Sequence, residues 1–581
     1  MIKKIAPYAK KHLLFAILGP LTISMEVLLE IQIPKLMAQI VDIGIPGGDL
    51  AYILKTGGMM MAYALISLVF GAVSAICSSI AAMGFGSELR KGIFYKLQNY
   101  SFGNIDKFST PSLITRITTD VNNVQMAYMM IIRMLVRSPI MLVSATFMAF
   151  TINSSLVTVF LVAIPVLAAG MFIIAVSAFP KFGIMLKKYD GINRTVQENL
   201  IAARVVKAFV RSSYEKDKFK EANLGLRKTS IDAEKITILS NPLMQLVMYA
   251  CIIAILWFGG IKVVIGGMQT GELISFVSYV TQILMSLMMI SMAFIMITTS
   301  RASIVRINEV LNEESEIKDD ECDENLEVES GDIEFKNVFF KYNASGENYT
   351  LENINLSIRS GETVGILGGT GSSKTTLVQL IPRLYDVSEG AVLVGGRDVR
   401  EYNLKKLRDA VSMVLQKNVL FSGTIRENLK WGNENATDEE IFKACRDAQA
   451  YDFITSFPDG FDTLLGQGGV NVSGGQKQRL CIARALIKRP KIIILDDSTS
   501  AVDTATDSKI RQAFNENLKD TTTIIIAQRI TSICDADKII VLDDGKIVDI
   551  GTHDYLVENC EIYRDVYTAQ QKGVDEYAQN K

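Results

Sequence analysis

Histidine and paired cysteine are scarce in this sequence. It has 2 histidines, His12 and His553, and 7 cysteines in 581 residues, and no two of these cysteines form a CxxC pair. Scattered cysteines of this kind are typical of structural thiols, which argues against a zinc site or a disulfide framework. The net charge is also small, at −2.

Charged residues are nearly missing from six stretches in the first half of the chain. Hydrophobic residues make up 49% of the sequence and charged residues 21%, so an apolar part must stand beside a soluble one. Most of the six stretches approach the roughly 20 residues that cross a bilayer as a helix. No cleavable signal sequence is apparent before the first. The stretches are residues 13–34, 57–83, 138–152, 156–179, 243–265 and 273–298.

Lysine and arginine are absent from the three short loops GIPGGDL, NSS and GMQTGE, whereas the two long loops carry many of both. The positive-inside rule then predicts that the N-terminus, both long loops and everything after the sixth stretch are cytoplasmic. The periodic apolar positions of the long loops predict helical stalks. Their polar tips, residues 106–113 and 210–219, are expected to touch a soluble domain.

The run KIIILDDSTS, residues 491–500, places four consecutive apolar residues in front of two aspartates. Such a run is typical of a parallel strand that is buried on both faces. Ligands of open α/β sheets gather outside the carboxyl ends of the strands, so Asp496 is predicted to meet a metal-bound phosphate. The next position, Asp497, suits a base that polarises an attacking water.

The stretch TVGILGGTGSSKTTL predicts a strand, a glycine-rich loop and a helix. Residues 368–375 fit the pattern G-x-x-x-x-x-K-[ST], but Ser373 stands where the phosphate-loop pattern has glycine. Backbone N–H groups of such a loop wrap phosphates, Lys374 neutralises the terminal ones, and Thr375 gives its hydroxyl to magnesium. The predicted nucleotide-binding residues are Gly368, Gly369, Thr370, Gly371, Ser372, Ser373, Lys374, Thr375 and Thr376.

Further motifs follow in the same half of the chain: NVSGGQKQRL at 471–480, QKNVLFSGTIREN from Gln416, SAVD at 500–503, and FFKY with Tyr342. Together they resemble the ATP-binding cassette family. The resemblance covers the whole chain and implies an exporter-type half-transporter, two of which make a transporter. The implied fold is an all-α polytopic membrane domain, with six transmembrane helices and long cytoplasmic extensions, followed by an α/β P-loop nucleotide-binding domain. The expected divisions are a membrane domain at 1–312, an acidic linker at 313–330, the nucleotide-binding domain at 331–570 and a polar tail at 571–581.

The resemblance assigns roles to single residues, with ATP and Mg²⁺ as cofactors. Tyr342 would stack on adenine, and Thr375, Gln416 and Asp496 would serve the metal. Asp503 belongs to the D-loop, residues 500–503. The signature, residues 472–476, would meet a phosphate on the other cassette through Ser473, Gly474, Gly475 and Gln476. No nucleic acid is expected as a partner.

Three departures from the family pattern point the same way, and two of them are expected in one pocket. Asp497 stands where the family usually has Glu, and Gln528 where it has His; GQGG at 466–469 replaces a Gly-Glu-Arg-Gly. Asp497 and Gln528 would therefore occupy the catalytic positions of a site that binds ATP and turns it over poorly. Beside an intact signature, this asymmetry resembles the degenerate-site half of heterodimeric bacterial multidrug exporters. The expected setting is a bacterial plasma membrane, a second half-transporter as partner, and a small amphipathic or hydrophobic substrate.

Several alternatives stay open in the sequence. The chain could be a non-hydrolytic regulatory subunit, or a slow homodimeric exporter of lipid or peptide. Glu26 and Glu30 lie four residues apart on one face of the first apolar stretch. They could bind a cationic compound, face a water-filled cavity or pair with a neighbouring helix. The methionine-rich run at 283–296 could be an adaptable substrate surface or simple gap-filling.

Overall fold

The computed structural model describes residues 2–319, 322–323, 325–342, 348–498 and 500–579. Contact clustering divides the chain into two compact units, which are described separately. The first unit contains residues 1–98 and 110–313, and the second contains residues 99–109 and 314–581. Residues 99–109 fall within the expected membrane domain, yet they group with the second unit.

The first unit is entirely helical. Among the described residues, six helical segments are long and apolar enough to cross a membrane: Ala6–Gly47, Leu50–Gln98, Thr110–Ile152, Thr158–Ile201, Ser212–Val264 and Thr270–Asn312. The short third apolar stretch, residues 138–152, is lengthened on its N-terminal side by the rest of a helix that begins at Val121. The polar ends of these segments confirm that the long loops are helical extensions and not disordered connections.

The helices of residues 2–312 are α1 (Ile2–Ile5), α2 (Leu13–Glu30), α3 (Gln32–Gln39), α4 (Ile45–Gly47), α5 (Leu50–Gln98), α6 (Phe102–Phe108), α7 (Thr110–Thr115), α8 (Val121–Ile152), α9 (Thr158–Ile201), α10 (Ala203–Ala208), α11 (Ser212–Thr237), α12 (Ser240–Val264) and α13 (Thr270–Asn312). Short π-helical segments, Ile40–Gly44 and Arg116–Asp120, interrupt the first and third spans. A core of buried aliphatic and aromatic residues joins α2, α8, α9, α12 and α13.

The second unit is an α/β domain. Its strands are β1 (Ile333–Phe340), β2 (Leu351–Ile358), β3 (Thr363–Leu367), β4 (Glu389–Val394), β5 (Arg397–Asp398), β6 (Val411–Val414), β7 (Gly423–Thr424), β8 (Leu464–Leu465), β9 (Ile492–Asp496), β10 (Thr522–Ile526), β11 (Lys538–Asp543) and β12 (Lys546–Gly551). Its helices after α6 are α14 (Lys374–Gln379), α15 (Leu404–Ala410), α16 (Ile425–Lys430), α17 (Asp438–Asp447), α18 (Tyr451–Thr455), α19 (Gly474–Ile487), α20 (Thr504–Asn517), α21 (His553–Asn559) and α22 (Glu561–Gln579).

The strand order β12-β11-β3-β10-β9-β6 defines the larger sheet, in which only β12 is antiparallel to its neighbour. Every residue of β9 is buried, which confirms the prediction of a parallel strand covered on both faces. The carboxyl ends of β3, β10, β9 and β6 therefore lie along one edge. The residues that follow these four strands are brought together by the sheet itself.

The second unit also holds α6 and the described part of the acidic segment. A capping box begins α6, because Ser101 and Asn104 exchange side-chain and backbone hydrogen bonds. Asn104 also donates from Nδ2 to the Glu314 carbonyl at 3.0 Å, and Ile317 is buried. The segment is mostly exposed, as expected of a solvated linker, but it is anchored along this unit and not free.

Candidate functional site

The phosphate loop, residues 368–375, connects β3 to α14, as the sequence predicts. A Cβ at Gly368 would lie 2.2 Å from the Leu542 carbonyl oxygen, so only glycine fits there. Lys374 Nζ donates to the carbonyls of Gly368 and Gly369 at 2.8 and 2.7 Å. The ammonium thus lies over the loop, where it can exchange these bonds for phosphate oxygens. Burial lowers the pKa of Lys374, against the opposing effect of Asp496 and Asp497.

Two of the three predicted Mg²⁺ ligands, Thr375 and Asp496, contact each other. Thr375 Oγ1 donates to both carboxylate oxygens of Asp496, at 3.1 and 2.9 Å. Burial raises the pKa of Asp496, and the hydrogen bond from Thr375 works against that shift. No cluster of three or more His, Cys, Asp or Glu side chains able to hold a metal occurs in the described residues. A hydroxyl and one carboxylate fit Mg²⁺, which usually takes few protein ligands and completes its shell with water and phosphate oxygens.

Asp497 lies directly after β9 in a left-handed backbone conformation, with φ 47°. Gln528 Nε2 donates to Asp497 Oδ2 at 3.2 Å, so the structure brings the two departures from the family pattern into contact. Burial raises the pKa of Asp497, and the Gln416 side chain acts in the opposite direction. The amide that the structure places in contact with the acid, that of Gln528, carries no charge.

Tyr342 follows β1 and lies beside the phosphate loop. Its hydroxyl is 2.9 Å from Thr376 Oγ1, and its ring makes edge contacts with Phe340 and Tyr385. The side chain is 53% exposed. An exposed ring supported at its edge suits the stacking role that the resemblance implies.

The signature begins α19. Ser473 Oγ accepts from Gln476 N at 3.3 Å, and Ser473 N donates to Gln476 Oε1 at 2.8 Å, which is a capping box. Within the described residues, the side-chain hydrogen bonds of Ser473 and Gln476 stay inside this helix terminus and do not reach the phosphate loop. Gly474 is exposed. The side chains of the signature therefore form no hydrogen bond with the phosphate loop of the same chain, within the described residues.

The D-loop connects the signature helix to Asp497. Gln478 accepts from Ala501 N at 3.0 Å and donates to Ser500 Oγ at 3.3 Å, and Ser500 Oγ donates to the Asp497 carbonyl at 3.0 Å. Asp503 caps α20, because its carboxylate accepts from Thr506 N at 3.0 Å. That backbone bond lowers the pKa of Asp503. Gln478 lies within the stretch NVSGGQKQRL, but its contact with the D-loop was not predicted from the sequence.

The structure shows the surroundings of two features of the membrane spans, the acid pair Glu26 and Glu30 and the methionine-rich run. Arg137 of α8 pairs with both acids of α2, at 3.3 Å to Glu26 and 2.7 Å to Glu30. Of the possibilities that the sequence left open, pairing with a neighbouring helix is the one seen.

In the methionine-rich run, Met285, Met289 and Met292 are exposed, whereas Ile283 and Leu284 are buried. All 7 cysteines are free, so the expected absence of a disulfide framework holds among the described residues.

Both halves of the chain match known protein families. The family described as ABC transporter transmembrane region matches residues 16–287, and the ABC transporter family matches residues 351–500. The uncharacterised ABC transporter ATP-binding protein YfiB of Bacillus subtilis (strain 168) is 37% identical over 571 residues, which cover 98% of each chain.

Other relatives have names that mention a substrate. A putative multidrug export ATP-binding/permease protein, YgaD of Bacillus subtilis (strain 168), is 35% identical over 68% of this chain and 71% of its own length. An ATP-dependent lipid A-core flippase of Syntrophus aciditrophicus (strain SB) is 32% identical over 88% of this chain and 85% of its own.

A solved structure has the same fold. It is a bacterial Atm1-family ABC exporter with ATP bound, which superposes with a TM-score of 0.83 over 97% of this chain and 99% of its own, at 24% identity. That likeness concerns the fold alone. With six candidate membrane helices ahead of a nucleotide-binding domain and full-length relatives above 30% identity, the chain belongs to the ABC transporter family and is an ATPase-coupled membrane transporter.

Proposed function

We propose that the chain is the weak-site subunit of a heterodimeric exporter of hydrophobic or amphipathic compounds. The observation that carries the proposal is the contact between Asp497 and Gln528, 3.2 Å apart at the carboxyl edge of the parallel sheet. Both residues depart from the family pattern, and they contact each other. A single pocket therefore lacks both the longer acid and the imidazole.

The chemistry of these side chains supports poor turnover. Aspartate is one methylene shorter than glutamate, and a misplacement of about 1 Å can cost on the order of 100-fold in rate. An uncharged amide can donate a hydrogen bond to a phosphate but cannot offer the charge of an imidazolium. In this chain, moreover, the amide of Gln528 is already engaged by Asp497. The groups that we propose to hold the phosphates and Mg²⁺ are other residues of the pocket.

The residues that bind nucleotide are largely in place. Bound ATP supplies the free energy for transport when its terminal phosphate is hydrolysed. The phosphate loop offers its backbone N–H groups and Lys374, while Thr375 and Asp496 are the protein ligands for Mg²⁺, with Gln416 beside them. Tyr342 offers its ring to adenine. These groups are the backbone, a hydroxyl, a carboxylate, an ammonium, an amide and an aromatic ring, and none of them belongs to Asp497 or Gln528.

The signature supports the second half of the proposal. Ser473 and Gly474 are exposed at the positive end of α19, and a helix N-terminus favours a phosphate group. Since their hydrogen bonds stay within their own helix terminus, they are available to a second cassette. The chain would thus hold ATP in its own weak pocket and complete a competent site on a partner that carries the glutamate and the histidine.

The setting follows from the charge distribution and the relatives. We place the N-terminus and the cassette on the cytoplasmic side of a bacterial plasma membrane, because the lysine-free and arginine-free loops lie at the opposite end of the spans. A multidrug-type substrate is favoured by YgaD, named as a putative multidrug exporter, and a lipid is the second candidate, favoured by the flippase. Substrate-stimulated ATPase of the co-purified pair, measured across lipids and amphipathic compounds, separates these two classes.

The central test is the activity of the full chain without a partner. The purified chain should bind ATP with Mg²⁺ and hydrolyse it hardly at all, whereas co-purification with the partner half-transporter should give ATPase activity. Brisk turnover by a verified homodimer contradicts the proposal. ATP-dependent uptake into inverted vesicles that contain the pair distinguishes an exporter from a regulatory subunit, for which no uptake is expected.

A further inference from the structure

The last described helix, α22, packs under the nucleotide site. A buried cluster joins Tyr563 of α22 and Leu556 of α21 to Leu367, Ala527 and Ile530. Leu367 ends the strand that leads into the phosphate loop. Ala527 begins the switch loop, defined here as residues 527–529, which carries Gln528, and Ile530 directly follows it. One apolar cluster therefore connects α22 to both sides of the pocket.

Gln570 of α22 adds two directional contacts to this packing. Its Oε1 accepts a hydrogen bond from Ile530 N at 2.9 Å, and its Nε2 donates to the Gln528 carbonyl at 2.8 Å. The two ends of one planar amide thus bind the backbone on both sides of Arg529. A rigid amide bonded at both ends restricts the rotation of the segment between those bonds.

The same residue whose backbone is held by Gln570 contacts the acid of the pocket. The Gln528 side chain donates to Asp497 at 3.2 Å. Gln528 itself is exposed, so side-chain packing does little to fix its position. The backbone bond from Gln570 is the specific restraint on Gln528 that the described residues supply from outside the sheet.

We propose that Gln570 is a positioning residue, which sets the orientation of Gln528 toward Asp497 and thereby makes α22 a regulatory element of this nucleotide site. The inference rests on the proposed function for the roles of Asp497 and Gln528. It adds that events at α22 reach the pocket through one side-chain amide. A displacement of α22 releases the switch loop and changes how long the site retains nucleotide.

The adjacent residue offers a matched control. Gln571 has the same side chain on the same helix, but its amide donates to Tyr567 OH at 2.6 Å, within α22. Gln571→Ala therefore removes an equal amount of side chain without touching the switch loop. Gln570→Glu serves as a second variant, because a carboxylate can still accept from Ile530 N but cannot donate to the Gln528 carbonyl and repels it.

The experiment uses the full chain in lipid nanodiscs and two readouts, the dissociation rate of a fluorescent ATP analogue and the rate of ATP hydrolysis. Gln570→Ala should change the dissociation rate by roughly 5- to 30-fold, as expected for two lost neutral hydrogen bonds. Gln570→Glu should also change the dissociation rate, because it loses the bond to the Gln528 carbonyl, and Gln571→Ala should leave the rate unchanged. The thermal unfolding midpoint of each variant is measured in parallel. If Gln570→Ala does not fold, the Gln570→Glu variant takes its place in the test.

A double-substitution cycle distinguishes positioning from general stabilisation. If Gln570 acts through the Gln528 side chain, then Gln570→Ala should have no further effect in a Gln528→Ala background. Additive effects of the two substitutions, or equal effects of Gln570→Ala and Gln571→Ala, overturn the inference. Brisk hydrolysis by the wild-type chain contradicts the weak-site proposal instead, and the cycle still decides the role of Gln570.

Discussion

Ser373 holds a backbone conformation that disfavours its own side chain. Its φ is 69°, in the left-handed region, at the position before α14. A residue with a Cβ pays about 1 to 2 kcal/mol there, whereas glycine adopts this conformation without strain. The departure from the phosphate-loop pattern thus has a local physical cost, independent of any effect on catalysis.

We expect Ser373→Gly to stabilise the cassette. The gain from relieved strain exceeds the extra chain entropy of glycine, about 0.5 to 1 kcal/mol, and should raise the midpoint of thermal unfolding by about 1 to 3 °C. The matched control is Ser372→Gly, because Ser372 is buried and its Oγ donates to the Gly369 carbonyl at 2.9 Å. That variant should lower the midpoint. A lower midpoint for Ser373→Gly as well contradicts the strain argument.

Asp497 and Gln528 call for a paired substitution, since each contacts the other. Asp497→Glu with Gln528→His restores the longer acid and the imidazole, and should raise hydrolysis at this site by at least about tenfold. The measurement is ATPase in a heterodimer whose partner has lost its own catalytic glutamate. The single substitutions serve as controls. No gain over the silenced background places the defect elsewhere, with Ser373 and the GQGG segment as the next positions to change.

At the scale of elements, α6 is the part of the long loops that belongs with the cassette. Tyr385 OH donates to Asp106 Oδ2 at 2.8 Å, and the Tyr385 ring contacts both Phe102 and Tyr342. One side chain therefore touches α6 and the ring that is proposed to stack on adenine. This arrangement offers a short physical path between nucleotide and loop.

We expect Tyr385→Phe to leave nucleotide binding nearly unchanged and to reduce the stimulation of ATPase by substrate. The ring contacts remain, while the bond to a carboxylate, worth about 1.5 to 3 kcal/mol, is lost. ATP affinity should change less than about twofold, and substrate stimulation of ATPase in the co-purified pair should fall several-fold. Tyr349→Phe is the control, because its hydroxyl bonds to Glu389 on the cassette surface. Equal stimulation in both variants contradicts this coupling role.

The elements that the sequence predicted are those with local signals. The run of apolar residues before Asp496 predicted a buried parallel strand, and the glycine-rich stretch predicted β3, the phosphate loop and α14; the structure has both. What could not be predicted depends on contacts between distant residues. Gln570 lies about 40 residues after the switch loop, and Arg137 lies on a different helix from the acids that it pairs with. No periodicity or spacing reports such partners.

The backbone conformation at Ser373 and Asp497 also escaped prediction, for a related reason. The positive φ of Asp497 arises where the chain leaves β9, and that of Ser373 arises where the phosphate loop enters α14. Both residue types depart from the family pattern, but only the direction of the following chain reveals the strain. Departures from a family pattern can be read directly, but their structural cost requires the fold.

At the scale of the whole molecule, the phosphate loop and the signature belong to different ATP sites in the proposed heterodimer. The phosphate loop would bind nucleotide in this chain's own weak site, and the signature would complete the partner's competent site. Lys374→Ala should therefore weaken nucleotide retention here and leave at least about half of the ATPase of the heterodimer. A substitution in the signature should be far more damaging, although this chain contributes little catalysis.

The structure determines which signature residue gives a clean test. A Cβ at Gly475 would lie 2.8 Å from the Ala501 carbonyl oxygen, so Gly475→Asp would also distort the D-loop. At Gly474 the corresponding contact is an ordinary 3.6 Å to the Ala501 Cβ. An aspartate in the first turn also suits the α19 dipole, so Gly474→Asp should fold normally.

Gly474→Asp should then repel the phosphates of the partner's nucleotide and reduce ATPase and transport by at least about tenfold. Gly474→Asn, which has nearly the same shape without the charge, is the matched control and should retain more activity. Both variants and Lys374→Ala are first shown to assemble with the partner by size-exclusion chromatography. If Lys374→Ala proved more damaging than Gly474→Asp, the competent site would use this chain's phosphate loop, and the asymmetric heterodimer would be the wrong assembly.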